Sequence, residues 1–382
     1  MVSSKDRVLT THVGSLPRPD YLLELAFAKD RHESYDSDAL NESLKVAVSD
    51  IVKQQIESGI DIVNDGEMSK INYATYVKER VSGFEGEDQA RVYGSDLAAF
   101  PEYLERLFEA GGIGKMSRPV CTGPIKYQGH SAVQKDIENL KSAVDGRNVS
   151  GSFLNAASPG VVSLFLGNTY YGSHEEYIWK LAEEMKTEYD LITSAGILLQ
   201  IDAPDLAMGR HIQFGDEDFS VFRKAAELHI EALNFATRDC PPESIRLHLC
   251  WGNYDGPHHH DVPLVDIIDL VFKARPQAIS FEGANPRHEQ EWKVWRDAGV
   301  PDDKVLIPGV INSTSNYIEH PELVADRICR FAEFVGRERV VAGTDCGMST
   351  SAGFPKVDPN IGWAKYAAMF EGAQLASKRL WA

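Results

Sequence analysis

The chain has 382 residues, 43% hydrophobic and 25% charged, enough apolar material for one large core or two ordinary ones. Acidic residues outnumber basic ones by 57 to 39, a formal net charge of −18. That balance excludes broad contact with nucleic acid or with an anionic membrane surface. It leaves room for a small substrate, because a few local cations can hold an anion on an acidic protein.

No stretch of about 18 apolar residues is present, so no helix is expected to span a bilayer. The start, MVSSKDRVLTTHVGS, lacks the basic opening and apolar run of a secretory leader. The five cysteines, Cys121, Cys240, Cys250, Cys329 and Cys346, are odd in number and sparse, unlike a disulfide framework. A reduced, cytoplasmic protein is expected, and there a Cys/His cluster signals a metal or catalytic site.

Taken in chain order, nine short β-rich runs are expected as strands, at 9–15, 61–67, 118–125, 152–161, 197–204, 245–252, 278–283, 305–312 and 340–347. Amphipathic stretches separate them. The helix over 175–196 sets Tyr177, Leu181, Met185 and Tyr189 on one face and stops at a glycine. Stretches 220–239 and 320–339 read the same way. A repeating strand–helix order implies a parallel sheet. Over this length without a linker, the expectation is an α/β fold, a single (β/α)8 TIM barrel spanning 1–382.

Nine runs compete for eight places. Region 84–150, with a polar stretch at 85–95 and glycines at 111–114, is expected to be an excursion between strands 2 and 3. It would return RPVCTGPIKY near the mouth of the site. No Gly-rich phosphate loop follows the early strands. The aromatics Trp363, Tyr366 and Phe370 are expected to pack back on the barrel.

His248 and Cys250 lie two apart near the end of a strand, so they share a face. Barrel enzymes place their chemistry at the C-terminal strand ends. Glu282 ends the next strand and Cys346 the last. Each alone has a plainer reading, the cysteines as small apolar residues and His248 as a hydrogen-bonded core residue. Together they offer one nitrogen, two sulfurs and one oxygen, a tetrahedral set that suits Zn2+. Two thiolates and a carboxylate make an electron-rich shell, poor for activating water. Such an ion still lowers the pKa of an incoming thiol and holds it as thiolate for attack on an activated carbon. Cys121, Cys240 and Cys329 lack such partners. The run His258–His260 lies in a Gly/Pro loop and reads foremost as solvated.

The motifs HLC, FEG, TDCG and THVGSLPRP resemble the catalytic barrel of cobalamin-independent methionine synthases. Single-barrel relatives include epoxyalkane:coenzyme M transferases. The resemblance implies a (β/α)8 fold and a zinc held by His248, Cys250, Glu282 and Cys346. It implies substrate contacts at Gly14, Ser15, Glu67 and Asp202, the last two gripping an amino group. The implied partners are a small thiol and a methyl or alkyl donor, with neither nucleic acid nor membrane. The glutamate of the family's IDEP is Ala203 here. The histidine of its DIHSP, which helps protonate a folate leaving group, is Thr314.

The leading expectation is therefore a zinc-dependent thiol alkyltransferase. One alternative is thiol-driven epoxide opening, with Arg18, Arg118 or Arg287 holding an anionic thiol. The other is a metal-free barrel like that of uroporphyrinogen decarboxylase.

Overall fold

The computed structural model describes residues 3–88, 93–109 and 118–382. Its main sheet has seven parallel strands: β1 (Ile62–Asn64), β4 (Gly151–Ala157), β5 (Leu198–Asp202), β6 (Ile245–Leu249), β7 (Ala278–Phe281), β8 (Val305–Ile311) and β9 (Gly343–Thr344), in that spatial order. Residues 9–11 close the ring. Thr11 N donates to Ala342 O and Ala342 N to Leu9 O, both at 2.8 Å, while Ile62 N donates to Thr10 O at 3.1 Å. The eighth stave of the barrel is thus a bridge at Thr10 between the two sheet edges, rather than the longer strand expected over 9–15.

The surplus run, 118–125, stands outside the main sheet. Of 118–125, Val120–Cys121 (β3) pairs antiparallel with Phe84–Glu85 (β2) in a separate two-stranded sheet inside the excursion. The glycines at 111–114 lie outside the described residues.

The parallel strands are rich in Val, Ile and Leu because both of their faces are covered. Leu9, Ile62, Phe153, Ala278, Val305, Ile307 and Val341 form a small cluster of their own. They come from six of the staves, 9–11, β1, β4, β7, β8 and the approach to β9, so they meet inside the barrel, near the strand starts. Towards the strand ends the interior turns polar, with Asn64, Asn155, Gln200, Asp202 and His248 all buried. A dry floor under a polar mouth is what positions a site.

The surrounding helices follow their expected spans to within a few residues: His174–Ser194, Phe219–Ala236 and Pro321–Val335. Ser173 caps the first of these by accepting from Glu176 N at 3.0 Å, and Glu175 and Glu176 complement the helix dipole. The last helix, Pro359–Leu380, packs against Pro321–Val335. Tyr366 is buried beneath it, with Trp363 half-buried against the core. Ser377 on this helix accepts from Val8 N at 3.0 Å and so braces the closing stave. Among the described residues no helix is long and apolar enough to cross a membrane.

Candidate active site

β6 carries His248 as its penultimate residue and releases Cys250 one step beyond its end. Cys346 follows β9 by two residues. The three side chains, all buried, bring one ligand atom each to within 4.8 Å of one another. Ligands around a tetrahedral zinc stand about 3.5–3.8 Å apart at bond lengths of about 2.0–2.3 Å, so the triad is close to that spacing. His248 Nδ1 lies 3.3 Å from Ser280 Oγ, which leaves Nε2 for an ion. Burial, with help from Arg246, lowers the His248 pKa to about 3, so the ring is neutral, as a ligand must be. Burial and the neighbouring Cys250 push the Cys346 thiol well up.

Glu282 stands beside this triad rather than within it. Its Oε1 accepts from Trp251 N at 2.7 Å and lies 3.8 Å from Cys346 Sγ; its Oε2 accepts from Asn285 Nδ2 at 2.6 Å. Burial raises its pKa to about 7.

The turn that carries Glu282 is set from β8 and β9. Asp345 Oδ1 accepts from Gly283 N and Ala284 N, each at 2.8 Å. Asp345 can come so close because Gly309 has no side chain. A Cβ there would lie 2.8 Å from the Asp345 backbone, at the register shift in β8.

A second constellation occupies the mouth above β1, β4 and β5. Glu67 follows β1 in a left-handed turn, with φ +54° after Gly66 at +70°. A non-glycine residue held there stores on the order of 1 kcal/mol of strain. The turn is fixed by Asp65 Oδ1, which accepts from Glu67 N at 3.0 Å. Ser15 Oγ donates to Glu67 Oε2 at 2.6 Å, and Arg18 sits 3.6 Å from the same oxygen. Glu67 Oε1 is buried and finds no hydrogen-bond partner among the described residues.

Asp202 ends β5 with Asn155 Nδ2 on one oxygen at 2.9 Å and Gln200 Nε2 on the other at 2.8 Å. Burial and the charge of Glu67 raise its pKa to about 7. Gly14, at φ +126°, lets Asn155 pass, since a Cβ would sit 2.8 Å from Asn155 Cγ.

The structure thus gathers Gly14, Ser15, Arg18, Glu67 and Asp202 on one side of the mouth and His248, Cys250, Glu282 and Cys346 on the other. Arg18 is buried, and its terminal nitrogens go to the carbonyls of Leu16, Ser349 and Lys70. Its guanidinium braces Glu67 instead of facing a free anion site.

Four residues escaped the sequence reading: Asn155, Lys70, Asn285 and Asp345. Asp345 adjoins Cys346, and Asn155 is a polar residue inside an apolar run, which were the available signals. The reading of His258–His260 as solvated holds for His259 and His260, which are exposed. His258 is turned inward, with Nδ1 3.0 Å from Asp261 Oδ2.

Residues 171–368 match the family described as cobalamin-independent synthase, catalytic domain, a span of more than half the chain that includes all four candidate metal ligands. The chain belongs to that family. A methionine synthase of Sulfolobus acidocaldarius is 26% identical over 342 residues, covering 89% of this chain and 85% of the relative. One from Saccharolobus islandicus is 25% identical over 374 residues, covering 97% and 95%. Among solved structures, a B12-independent methionine synthase from Shewanella sp. W3-18-1, in complex with selenomethionine, superposes with a TM-score of 0.72. It is 21% identical and is covered to 99%, against 98% of this chain. A putative one from Listeria monocytogenes gives 0.64 at 18% identity, over 98% of this chain and 99% of that one. These superpositions show the barrel as the family's fold, and the single chain covers between 85% and 99% of each of these relatives.

Proposed function

We propose that this member of the family is a methyltransferase, moving a methyl or other small alkyl group onto the sulfur of an amino-acid thiol such as homocysteine. The observation that supports this most is the pairing of two unlike halves in one mouth. One half is a buried N/S/S triad, the other a pair of buried carboxylates, Glu67 and Asp202, one of which keeps an oxygen unpaired. An α-amino thiol has a complementary end for each.

The donor set fits zinc: neutral imidazole and two thiols that become thiolates on binding, with Glu282 beside them as a fourth, displaceable ligand. Bound there, zinc lowers the pKa of a thiol and holds it as a nucleophile at neutral pH. His248, Cys250 and Cys346 would hold the ion. Asn285 and the Trp251 N–H hold Glu282, so that its carboxylate stays oriented whether or not it ligates.

Glu67 and Asp202 accept an ammonium group, which neutralises two charges that burial makes costly. Ser15 and Arg18 keep Glu67 aimed, and Asn155 and Gln200 keep Asp202 aimed. With the ammonium fixed, the sulfur is held at a set distance and direction, the positional part of catalysis.

Epoxide opening with a sulfonate-bearing thiol gains no support from Arg18, whose guanidinium is spent on Glu67 and three carbonyls. A metal-free barrel leaves the sulfur pair without a role. The test is direct: measure zinc content and homocysteine methylation in the intact, reduced protein. A protein that binds no zinc, or that transfers equally well after Cys250→Ser, would overturn the reading.

A further inference from the structure

Asp96, His211 and Asp261 belong to neither half of the site, yet they meet in the interior from three separate segments. Asp96 comes from the excursion, His211 from the short helix Gly209–Ile212 beyond β5, and Asp261 from the loop beyond β6. Their side chains are at most 2% exposed, with His211 Nδ1 3.4 Å from Asp96 Oδ1 and Nε2 3.5 Å from Asp261 Oδ1. Neither ring nitrogen forms a hydrogen bond among the described residues. Gly94 makes room for the ring, since a Cβ there would collide with it, and Ser95 Oγ donates to the His211 carbonyl at 3.2 Å.

This geometry suits one protonation state of the ring. A neutral imidazole has one N–H and one lone pair, so between two carboxylates one nitrogen faces an acceptor with nothing to donate. The imidazolium donates both ways. A movement of roughly half an ångström on each side brings both contacts to ordinary hydrogen-bond length.

The groups around the ring are charged. Burial opposes the charge on Asp96, but contacts with His211 and Tyr254 outweigh it and hold the carboxyl well below its ordinary range. Burial likewise opposes the charge on Asp261, and His258 and His288 outweigh it. His288 is disfavoured as a cation by burial too, but its bonds to Asp261 and Glu291 push its pKa up to about 10. Asp96, Asp261 and His288 therefore keep their charges near neutral pH. The imidazoles of His211 and His258 are left as the groups whose charge can change there.

Asp261 closes a loop that walls a cavity. Gly252, Asn253, Tyr254 and Gly256 line a space of about 240 Å3 that also opens onto Glu282, beside the triad. The loop is left-handed at both ends of this wall, with φ +116° at Gly252 and +51° at His258. Its foot is pinned where Asn253 Nδ2 donates to Gly347 O at 2.7 Å. Its outer side is held by the excursion: the Tyr254 hydroxyl bonds Asp96, and the Phe100 ring meets His259 edge-on at 5.5 Å between centroids.

We propose that Asp96, His211 and Asp261 form a proton-operated clasp between the excursion and this loop, which gates the approach to the triad from the cavity. With His211 protonated, the ring donates to both carboxylates, the excursion is drawn onto the loop and the wall shuts. The neutral ring releases one carboxylate, and the wall is then held only through Tyr254 and Asn253. None of the three touches substrate; they are positioning residues. The clasp is independent of the alkyl-transfer reading, and only its gating role rests on that reading.

The experiment compares the zinc-loaded enzyme at about pH 5.5 and about pH 8, on either side of the ordinary histidine range. Amide hydrogen exchange, corrected for the intrinsic effect of pH, should show peptides of 95–109 and 252–262 roughly 10-fold better protected at the lower pH. His211→Gln should show the weaker protection at both. Asp96→Asn should do the same, and gives the answer if the histidine variant fails to fold. Passage through the wall is read by loss of zinc to a chromogenic chelator. At the lower pH His211→Gln should lose zinc at least about threefold faster than wild type, and at the higher pH at the same rate. Protection in wild type that ignores pH overturns the clasp. So does a pH difference that survives Asp96→Asn, which would assign it to His258. Equal zinc loss by variant and wild type at the lower pH, with the exchange difference intact, overturns the gating. A protein that takes up no zinc overturns the proposed function, while hydrogen exchange still decides the clasp.

Discussion

Asp202 and His248 are register partners on adjacent parallel strands, and the Ala203 N–H donates to the His248 carbonyl at 2.9 Å. Neighbouring strands lie about 4.8 Å apart. A chain of roughly four bonds of about 1.5 Å each covers such a gap, the separation of sulfur and nitrogen in a small amino-acid thiol. The two ends of the proposed substrate are therefore spaced by the sheet itself.

Asp202→Asn tests that spacing. Losing a charge-assisted bond to the ammonium should raise KM for homocysteine by about 10–100-fold, the equivalent of about 1.5–3 kcal/mol. Zinc content should not change, because Asn155 and Gln200 still fill the site. A thiol of the same length without the amino group should be used equally by wild type and variant. Steady-state kinetics with both thiols, beside metal analysis, checks this; a loss that extends to the amino-free thiol counts against an ammonium contact.

The same substitution should stabilise the free enzyme at alkaline pH. Burial and Glu67 raise the Asp202 pKa to about 7, above its ordinary value near 3.8. The folded state then binds the proton more tightly, so this contribution is full below pH 4 and is lost as pH rises through 7. His12 and His248, both lowered to about 3 by burial, act in the opposite sense and gain stability as pH rises towards 6.5. The variant isolates the carboxylate. Asp202→Asn should match wild type near pH 4 and exceed it by on the order of 2–4 kcal/mol at pH 8 in denaturant unfolding without thiol. A constant difference across that range would show that Asp202 ionises normally.

Much of this site was legible in the sequence because its parts stand at strand ends. His248, Cys250, Glu282 and Cys346 were identifiable from an alternation rule and one architectural rule, and the barrel follows from the strand–helix rhythm. The closing stave was not legible as a bridge. Residues 9–15 have strand composition, but only Thr10 and Thr11 meet both edges before the chain turns at Gly14 beneath Asn155. Nor could spacing show that Arg18 turns into the protein towards Glu67, or that one of three adjacent histidines faces inward. Arg18 depends on partners far away in the chain, Ser349 and Lys70, while His258 turns on close neighbours, Tyr254 and Asp261, that belong to an irregular loop and follow no helix or strand period.

Removal of the metal should stop transfer while leaving the fold in place. The triad caps a barrel whose apolar floor, the cluster of Phe153, Ile307 and Val341, does not depend on it. Dialysis against a chelator should abolish homocysteine methylation with little change in far-ultraviolet circular dichroism, and zinc should restore it. Cys250→Ser should bind zinc more weakly by 10-fold or more, roughly the effect expected of even an outer ligand-orienting group. Collapse of secondary structure on chelation would instead mark the ion as a structural one.

Gly309→Ala should injure the site from behind. The new methyl would stand 2.8 Å from the Asp345 backbone, where no flexible side chain can move away. Either β8 shifts or Asp345 retreats. In the second case Gly283 and Ala284 lose their acceptor, the Glu282 turn loosens, and Cys346, one residue on, is carried with it. Overpacking of this kind costs about 1–3 kcal/mol. Gly146→Ala provides the scale, since its Cβ meets nothing within 4 Å and only its φ of +68° opposes the change, at about 1 kcal/mol. Both variants should melt below wild type, but Gly309→Ala alone should lose zinc affinity, read by competition with a chromogenic chelator. Equal zinc affinity in the two variants would detach Asp345 from the metal side of the site and leave it a purely structural acid.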